Sequence, residues 1–417
     1  MQVVAEKKCI DNSWDFRNEN TKTYTHCFHN YPAMMIPQIA ERLIITFGNN
    51  AKMLFDPYCG TGTSLVEANL KGINAIGTDL NPLARLIAKT KTTRIDIQIL
   101  DLYLKEFNDI AFSLNFGINK PNIILPNFNN IDFWFSKTVQ ENLAIIKQFI
   151  DKITNEEIKN FFYVAFSETV RECSYTKNSE FKLFRMSEKQ RQNFKPNVFA
   201  IMLNKLSRNK KGLIEFNKAI NNKNVKSIVK DFNSVYSIEY IEEKSIDIIV
   251  TSPPYGDSRT TVAYGQFSRL ANQWLGIEEA NKIDNQLMGG KRMKIEKFDI
   301  DTIDNIITEI NKLDQKRAEE VFSFYFDYYH SIKNVSKTLK KNSFACYVVG
   351  NRKVKGLTLP TDEITKLFFE ENGFKHVNTI IRNIPNKRMP RINSPTNQIG
   401  KTDNTMNNEY IVIMKKI

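Results

Sequence analysis

The sequence predicts an α/β fold built on a mostly parallel sheet, and three stretches predict it. Met53-Leu54-Phe55-Asp56 is an apolar strand run that ends on a carboxylate, turns through Pro57-Tyr58-Cys59-Gly60-Thr61-Gly62 and opens a helix near Thr63. Ile73 to Asp79 repeats the pattern, with Asp79 at the strand's C-terminal end and Asn81-Pro82 opening the next helix. Ile246 to Val250 is a third apolar run, of the kind that fills a buried parallel strand, and Thr251-Ser252-Pro253-Pro254-Tyr255 follows it. An open α/β sheet places its ligand crevice at the carboxyl ends of its strands, so all three polar tips fall where a ligand binds.

Composition sets the outer bounds. The chain has 417 residues, enough for a catalytic domain with a large insertion, and its 41% apolar content is that of a globular protein. Lys and Arg exceed Asp and Glu by 13, which points to a polyanionic partner, nucleic acid first. Cys9, Cys27, Cys59, Cys173 and Cys346 are scattered without C-x-x-C spacing, which suits a reducing cytoplasm rather than a disulfide framework or a zinc site. No apolar run approaches a membrane span, and the first residues carry no apolar core of a signal peptide.

Taken in order, Thr25 to Ala33 leads into a helical pattern over Ile36 to Ile45, with Pro37 in its first turn. His26 and His29 read as loop packing, and no metal site is assigned. Gly60 and Gly62 let the backbone approach a ligand closely, and the helix start at Thr63 offers free amides to a carboxylate. Asp56 suits a cationic ammonium, and Asp79 suits a pair of ribose hydroxyls. The G-x-G spacing differs from the dinucleotide fingerprint, which argues against a nicotinamide oxidoreductase.

From 92 to 222, about 130 residues, no sheet strand is expected. Aromatic Ile131-Asp132-Phe133-Trp134-Phe135 and amphipathic helices over Leu143 to Ile150 and Ile158 to Val170 predict a helical insertion with a core of its own. Basic Lys177, Lys182, Arg185, Lys189, Arg191 and Lys195, then Arg208, Lys210 and Lys211, interleave with Tyr175, Phe181 and Phe184 as a candidate nucleic-acid surface. The alternative is a solvated helical face.

The sheet resumes at Val225 to Asp231, a third strand with a terminal carboxylate. After Tyr255 the run Gly256 to Leu270 carries Arg259, a candidate grip on a flipped base. Residues 277–316 read as a mobile loop and a helix of no assigned role. A helix over Phe322 to Leu339, a strand over Ser343 to Arg352, a helix over Glu363 to Glu370 and an antiparallel pair, Val377 to Ile384 with Glu409 to Met414, close the sheet. The basic, proline-stiffened stretch Pro385 to Pro395 between the last two reads equally as a contact for a DNA backbone or as a solvated loop.

The turn after the third run carries the chemistry. Its two prolines fix φ twice and remove two donors, so the carbonyls are held stiffly. The Ser252 hydroxyl and the Pro253 carbonyl together can accept both hydrogens of an amino group, and Tyr255 offers a flat face to a planar base.

These residues resemble motif IV (S/D/N-P-P-Y/F/W) of the DNA amino-methyltransferases. Asp56 to Thr63 is similar to motif I of that family, Ile73 to Ala84 to motif II, Val225 to Asp231 to motif III, and Thr25 to Ala33 to motif X. The resemblance implies a Rossmann-like class I methyltransferase fold, with a mostly parallel seven-stranded sheet closed by a C-terminal β-hairpin. It implies S-adenosyl-L-methionine as cofactor, with Tyr31, Pro32, Asp56, Pro57, Gly60, Gly62, Thr63, Asp79 and Asp231 around it, the last near its adenine. It implies Ser252, Pro253, Pro254 and Tyr255 as catalytic residues, double-stranded DNA as substrate and a cognate restriction endonuclease as companion. The expected organisation is a cofactor half over 1–91, an inserted target-recognition region over 92–222 and a catalytic half over 223–417. In this family a serine at the first motif IV position goes mostly with cytosine N4, so cytosine N4 is the expected target. Adenine N6, an RNA amino group and a non-catalytic DNA-binding module are the alternatives.

Overall fold

The computed structural model describes residues 8–115, 122–177, 181–257, 263–278, 280–384, 392–393, 403–404 and 407–417. Its centre is an eight-stranded sheet in the order β1-β9-β12-β6-β5-β2-β3-β4. The strands are β1 (Lys8–Ile10), β2 (Met53–Asp56), β3 (Asn74–Thr78), β4 (Ser227–Lys230), β5 (Ile246–Thr251), β6 (Leu339–Val349), β9 (Phe374–Asn383) and β12 (Asn408–Lys416). Two small antiparallel pairs lie outside it, β7 (Arg352–Val354) with β8 (Leu357–Leu359) and β10 (Ile392–Asn393) with β11 (Asp403–Asn404).

All neighbours in the main sheet are parallel except β12, which runs antiparallel to both β6 and β9. The expected hairpin close is therefore present, with Ile411 opposite both Val348 and Ile380. The eighth strand goes beyond the expected seven. β1 pairs with β9 at the sheet's edge through three exposed residues, Lys8, Cys9 and Ile10. A strand that short and that wet carries no apolar alternation to read.

Both faces of the sheet are covered, which is why its central strands are apolar throughout. Ile411 and Ile413 of β12 join one core with Ile39 and Leu43 of α1 (Pro37–Phe47) and Leu65 of α2 (Thr63–Leu70). Val412 and Met414, of opposite parity, join the other core. There they meet α12 (Asp301–Leu313), α13 (Gln315–Thr338) and α14 (Thr361–Glu370), through residues such as Ile307, Tyr328 and Phe368.

After α3 (Pro82–Lys91) the insertion folds as α4 (Ile97–Asn115), α5 (Ile131–Trp134), α6 (Lys137–Asp151), α7 (Glu156–Cys173), α8 (Glu188–Asn193) and α9 (Val198–Ala219). Its helices are capped by their own sequence: Ser136, Asn155, Ser187 and Asn197 each accept a first-turn amide. The expectation of a separate core is corrected. Phe107, Phe161, Phe162 and Phe166 share one cluster with Phe28 and Tyr31 of the N-terminal segment, Ile87 of α3, and Phe267 and Trp274 of α10 (Tyr264–Trp274). Each such aromatic contributes about 1.5–3 kcal/mol by its burial, so the insertion is welded to the elements that flank the crevice. α11 (Ile283–Gln286) and the chain to α12 complete the fold.

Candidate active site

β2 is followed in sequence by β3 on one side, while β5 enters on its other side after the insertion, so the strand order reverses between β2 and β5. A doubly wound sheet opens its crevice at such a point. A cleft lies there. Its wall includes Tyr31, Asp56, Gly60, Asp79, Ser252 and Pro254, so the loops that start at Asp56 and Ser252 open onto one shared space. Pro32, Pro57 and Thr63 line it too.

Asp56 is buried at the tip of β2. Its Oδ1 accepts from Thr251 Oγ1 at 2.5 Å and from the Tyr58 amide at 3.1 Å, and its Oδ2 accepts from Ser64 Oγ. One carboxylate thus ties β2 to the tip of β5 and to the first turn of α2. Burial pushes its acid up to about 6, against the lowering effect of the two hydroxyls. Asp79 is held comparably: Oδ2 accepts from the Gly60 amide at 3.1 Å and Oδ1 from the Asn81 amide at 2.7 Å. Burial again raises it to about 6. Thr61 Oγ1 is buried in the same wall and meets no partner among the described residues, a donor awaiting an acceptor.

The two glycines part company. Gly60, at φ +48°, lines the cleft, and a Cβ built there would meet nothing within 4 Å. Gly62, at φ +77°, is absent from the wall, and a Cβ there would lie 2.9 Å from Ala88 Cβ. Its role is close packing of α2 against α3.

Asp231 also departs from its expected place. It accepts from Arg85 through both oxygens, at 3.0 and 2.8 Å, and its side chain is 65% exposed. The cleft is lined instead by the next three residues, Phe232, Asn233 and Ser234.

At the other end, Ser252 Oγ donates to the Val348 carbonyl of β6 at 3.1 Å. The same oxygen lies 3.3 Å from Tyr255 OH, so the one hydroxyl proton stays within the protein and the oxygen retains acceptor capacity. Pro253 and Tyr255 are not on the wall. Tyr255 OH donates to Glu409 Oε1 of β12 at 3.0 Å, and Glu409 is in turn paired with Arg382 of β9. Burial holds the phenol well above its ordinary pKa. Just beyond, Asp257 Oδ2 receives Arg352 and Arg317, each at 3.2 Å. A side chain on Gly256 would run into the Arg352 guanidinium, so the turn is packed directly on that pair.

Several wall residues carry no signal in the sequence. Tyr264 opens α10 and stacks on Tyr31 at 6.1 Å between ring centroids, 13° from parallel. Asn81 Nδ2 donates to Tyr31 OH and Ser268 Oγ, each at 2.9 Å, which locks α3, α10 and the N-terminal segment together. Leu287 and Met288, from the stretch given no role, close another side, with the Gly289 amide donating to Asp327 of α13. The Asn-Pro helix start is legible; the contacts are not, because they join segments far apart in the chain. Arg259, and residues 385–391 of the basic stretch before the last strand, lie outside the described residues.

His26, in the 3₁₀ turn Tyr24–Phe28, is paired with Glu67 at 2.8 Å inside the protein. No cluster of three metal-binding side chains occurs among the described residues, and no described helix is long and apolar enough to cross a membrane.

A family model for a DNA methylase of the N6/N4 type matches residues 2–90. A type II methyltransferase of Kocuria varians, M.MvaI, is 40% identical over 98% of this chain and 95% of its own length. The chain belongs to the type II DNA methyltransferases. M.BsoBI of Geobacillus stearothermophilus is 21% identical over 90% of this chain and 84% of its own, and M.MjaII of Methanocaldococcus jannaschii is 29% identical over 41% and 32%.

This type II methyltransferase is an enzyme of the N4/N6 family, with DNA as substrate and S-adenosyl-L-methionine as methyl donor. The cleft fits that donor. It offers one buried and one half-buried carboxylate, a hydroxyl unpartnered among the described residues, and aromatic rings to a molecule with an ammonium, ribose hydroxyls, a carboxylate and a purine.

Proposed function

We propose that this methyltransferase modifies the exocyclic N4 amino group of cytosine, in a base flipped out of duplex DNA, beside a companion endonuclease of the same specificity. The observation that carries the reading is Ser252: the first residue of the Ser-Pro-Pro-Tyr turn faces the cleft, with its hydroxyl 3.1 Å from the Val348 carbonyl and 3.3 Å from Tyr255 OH. Serine at that position goes mostly with cytosine in the family this chain resembles.

The amino lone pair of cytosine is delocalised into the ring. Acceptors on its N–H groups turn the nitrogen toward sp³ and free that pair. Ser252 Oγ is one such acceptor, and the Pro253 carbonyl, set back from the cleft wall, is our candidate for the other. Pro254 lines the wall and limits how the base lies. Tyr255 stands behind the turn, bound to Glu409, so it fixes the turn; its ring, set back from the cleft wall, is our candidate platform for the base. Neither acceptor needs to be a strong base, because a methylated amino group is acidic enough to release its proton afterwards. Positioning supplies much of the rate.

S-adenosyl-L-methionine, when bound, supplies an electrophilic methyl group. Tyr31, Pro32, Asp56, Pro57, Gly60, Thr61 and Thr63 hold its amino-acid end, Asp79 accepts from the ribose hydroxyls, and Phe232 rather than Asp231 sits by the purine. Methylation mapped at nucleotide resolution in an unmethylated host, with mass spectrometry of the nucleosides, tests the reading. N4-methylcytosine is the expected product; N6-methyladenine alone would replace the target base and leave the cleft assignments standing.

A further inference from the structure

The basic residues of the insertion divide into two groups. Arg208 and Lys205 of α9 converge on Glu168, at 2.7 and 3.5 Å, and Lys210 is 2.5 Å from Asp101. Those charges are already answered inside the protein. Lys182, Arg185, Lys189, Arg191 and Lys195 have no ion pair with any acid among the described residues. Glu188 is the one acid between Lys182 and Lys195.

The local structure holds two of these charges, Arg185 and Arg191, in place and orders the backbone that carries the lysines. Thr176 and Arg185 form an antiparallel bridge, and the Met186 amide donates to the Tyr175 carbonyl at 2.8 Å. The Arg185 guanidinium lies 3.8 Å from the centre of the Phe133 ring, stacked rather than trailing in solvent. Arg191 donates to the Met186 carbonyl at 2.8 Å, and α8 is fixed by a capping box between Ser187 and Gln190. Phe133 and Phe184 are 44% and 50% exposed beside them.

This face is also mechanically continuous with the cleft. The Leu183 amide donates to Gln266 Oε1 at 3.4 Å. Arg171 of α7 donates both to the Phe267 carbonyl, at 3.2 Å, and to the Phe181 carbonyl, at 3.4 Å. Gln266 and Phe267 sit in the first turn of α10, next to Tyr264 on the cleft wall.

We infer that the face carrying Lys182, Arg185, Lys189, Arg191 and Lys195 is the surface on which the phosphate backbone of duplex DNA docks, registering the target base over the cleft. Unanswered cations fixed on an ordered surface release counterions when they meet phosphates, and each contact steepens the salt dependence of binding. The inference rests on duplex DNA as substrate and is indifferent to which base is methylated.

The test is the salt dependence of binding to a fluorescein-labelled duplex of random sequence, about 30 bp long, with the full-length chain. The triple variant Lys182→Ala, Lys189→Ala, Lys195→Ala is expected to flatten the log-log slope by about 2–3. It should raise KM for DNA at least tenfold, leaving KM for S-adenosylmethionine and kcat at saturating DNA unchanged. Lys210→Ala, whose charge Asp101 already takes, should leave the slope as in the wild type. A triple variant with the wild-type slope and KM for DNA overturns the surface. If wild-type enzyme yields N6-methyladenine instead of N4-methylcytosine, the base assignment fails while the slope still decides the surface.

Discussion

The two ends of the cleft are held in opposite ways. At the Asp56 and Asp79 end, the functional groups are fixed mostly by near neighbours: Tyr58, Ser64 and Asn81 lie within eight residues of the carboxylate they serve, and Gly60 lies nineteen from Asp79. Thr251 is the exception. At the Ser252 end the supports come from the far side of the chain. Val348, Arg352, Arg382 and Glu409 each lie more than ninety residues away from the turn they brace. A loop that carries its own geometry tolerates change around it; a turn braced from a distance depends on the whole sheet.

That contrast is breakable by mutation, starting where the effect is largest. Ser252→Ala removes the acceptor proposed for the reacting amine and should cost about 10²–10³ in kcat. Cofactor affinity by calorimetry should stay nearly unchanged, and a loss of both together would mean the two ends are not separable. Asp56→Ala should do the reverse. It strips three donors of their acceptor, at about 1–3 kcal/mol for each group left buried and unpaired, and should weaken cofactor binding by about tenfold or more. Normal cofactor affinity in that variant would remove Asp56 from the cofactor site.

Acidity gives the next effect. Burial raises both Asp56 and Asp79 to about 6, so each loses its negative charge as pH falls through that value, while the cofactor's ammonium stays protonated. Affinity for the cofactor should be steady above about pH 7 and fall up to about tenfold per unit, per group, below about pH 6. Asp79→Asn should shallow that fall; a profile that is flat to about pH 5 would show that neither carboxylate binds in its charged form. The smallest effect belongs to Tyr255→Phe. It keeps the ring and loses the bond to Glu409, about 1 kcal/mol, so kcat should drop only several-fold, whereas Tyr255→Ala should cost orders of magnitude. Equal losses in the two would assign the work to the hydroxyl.

The same contrast explains what is legible in the sequence. Asp56, Asp79 and Ser252 can be placed because each ends an apolar strand run, and strand ends in a parallel sheet share one edge. Asp231 meets the same criterion and yet lies elsewhere. It ends the edge strand β4, where Arg85 of α3 captures it in solvent, and no periodicity in the chain reports that partner. Gly62 looks from its spacing like room for a ligand, but the room it makes is for Ala88. Tyr264 and Met288 reach the wall only through tertiary placement of α10 and of the chain beside α13, which no local pattern encodes. The basic cluster is visible as a cluster, but only the ion pairs of α9 separate the charges already neutralised from those left over.

Thr251 donates to Asp56 across the boundary between β5 and β2, one residue before the serine proposed to meet the base. Whatever a first ligand does to that carboxylate is therefore felt at the seat of the second, and thermodynamic reciprocity requires the influence to run equally in both directions. A methyl donor and a nucleobase that share such a link should bind with measurable cooperativity, and severing it with Thr251→Val should make their affinities independent.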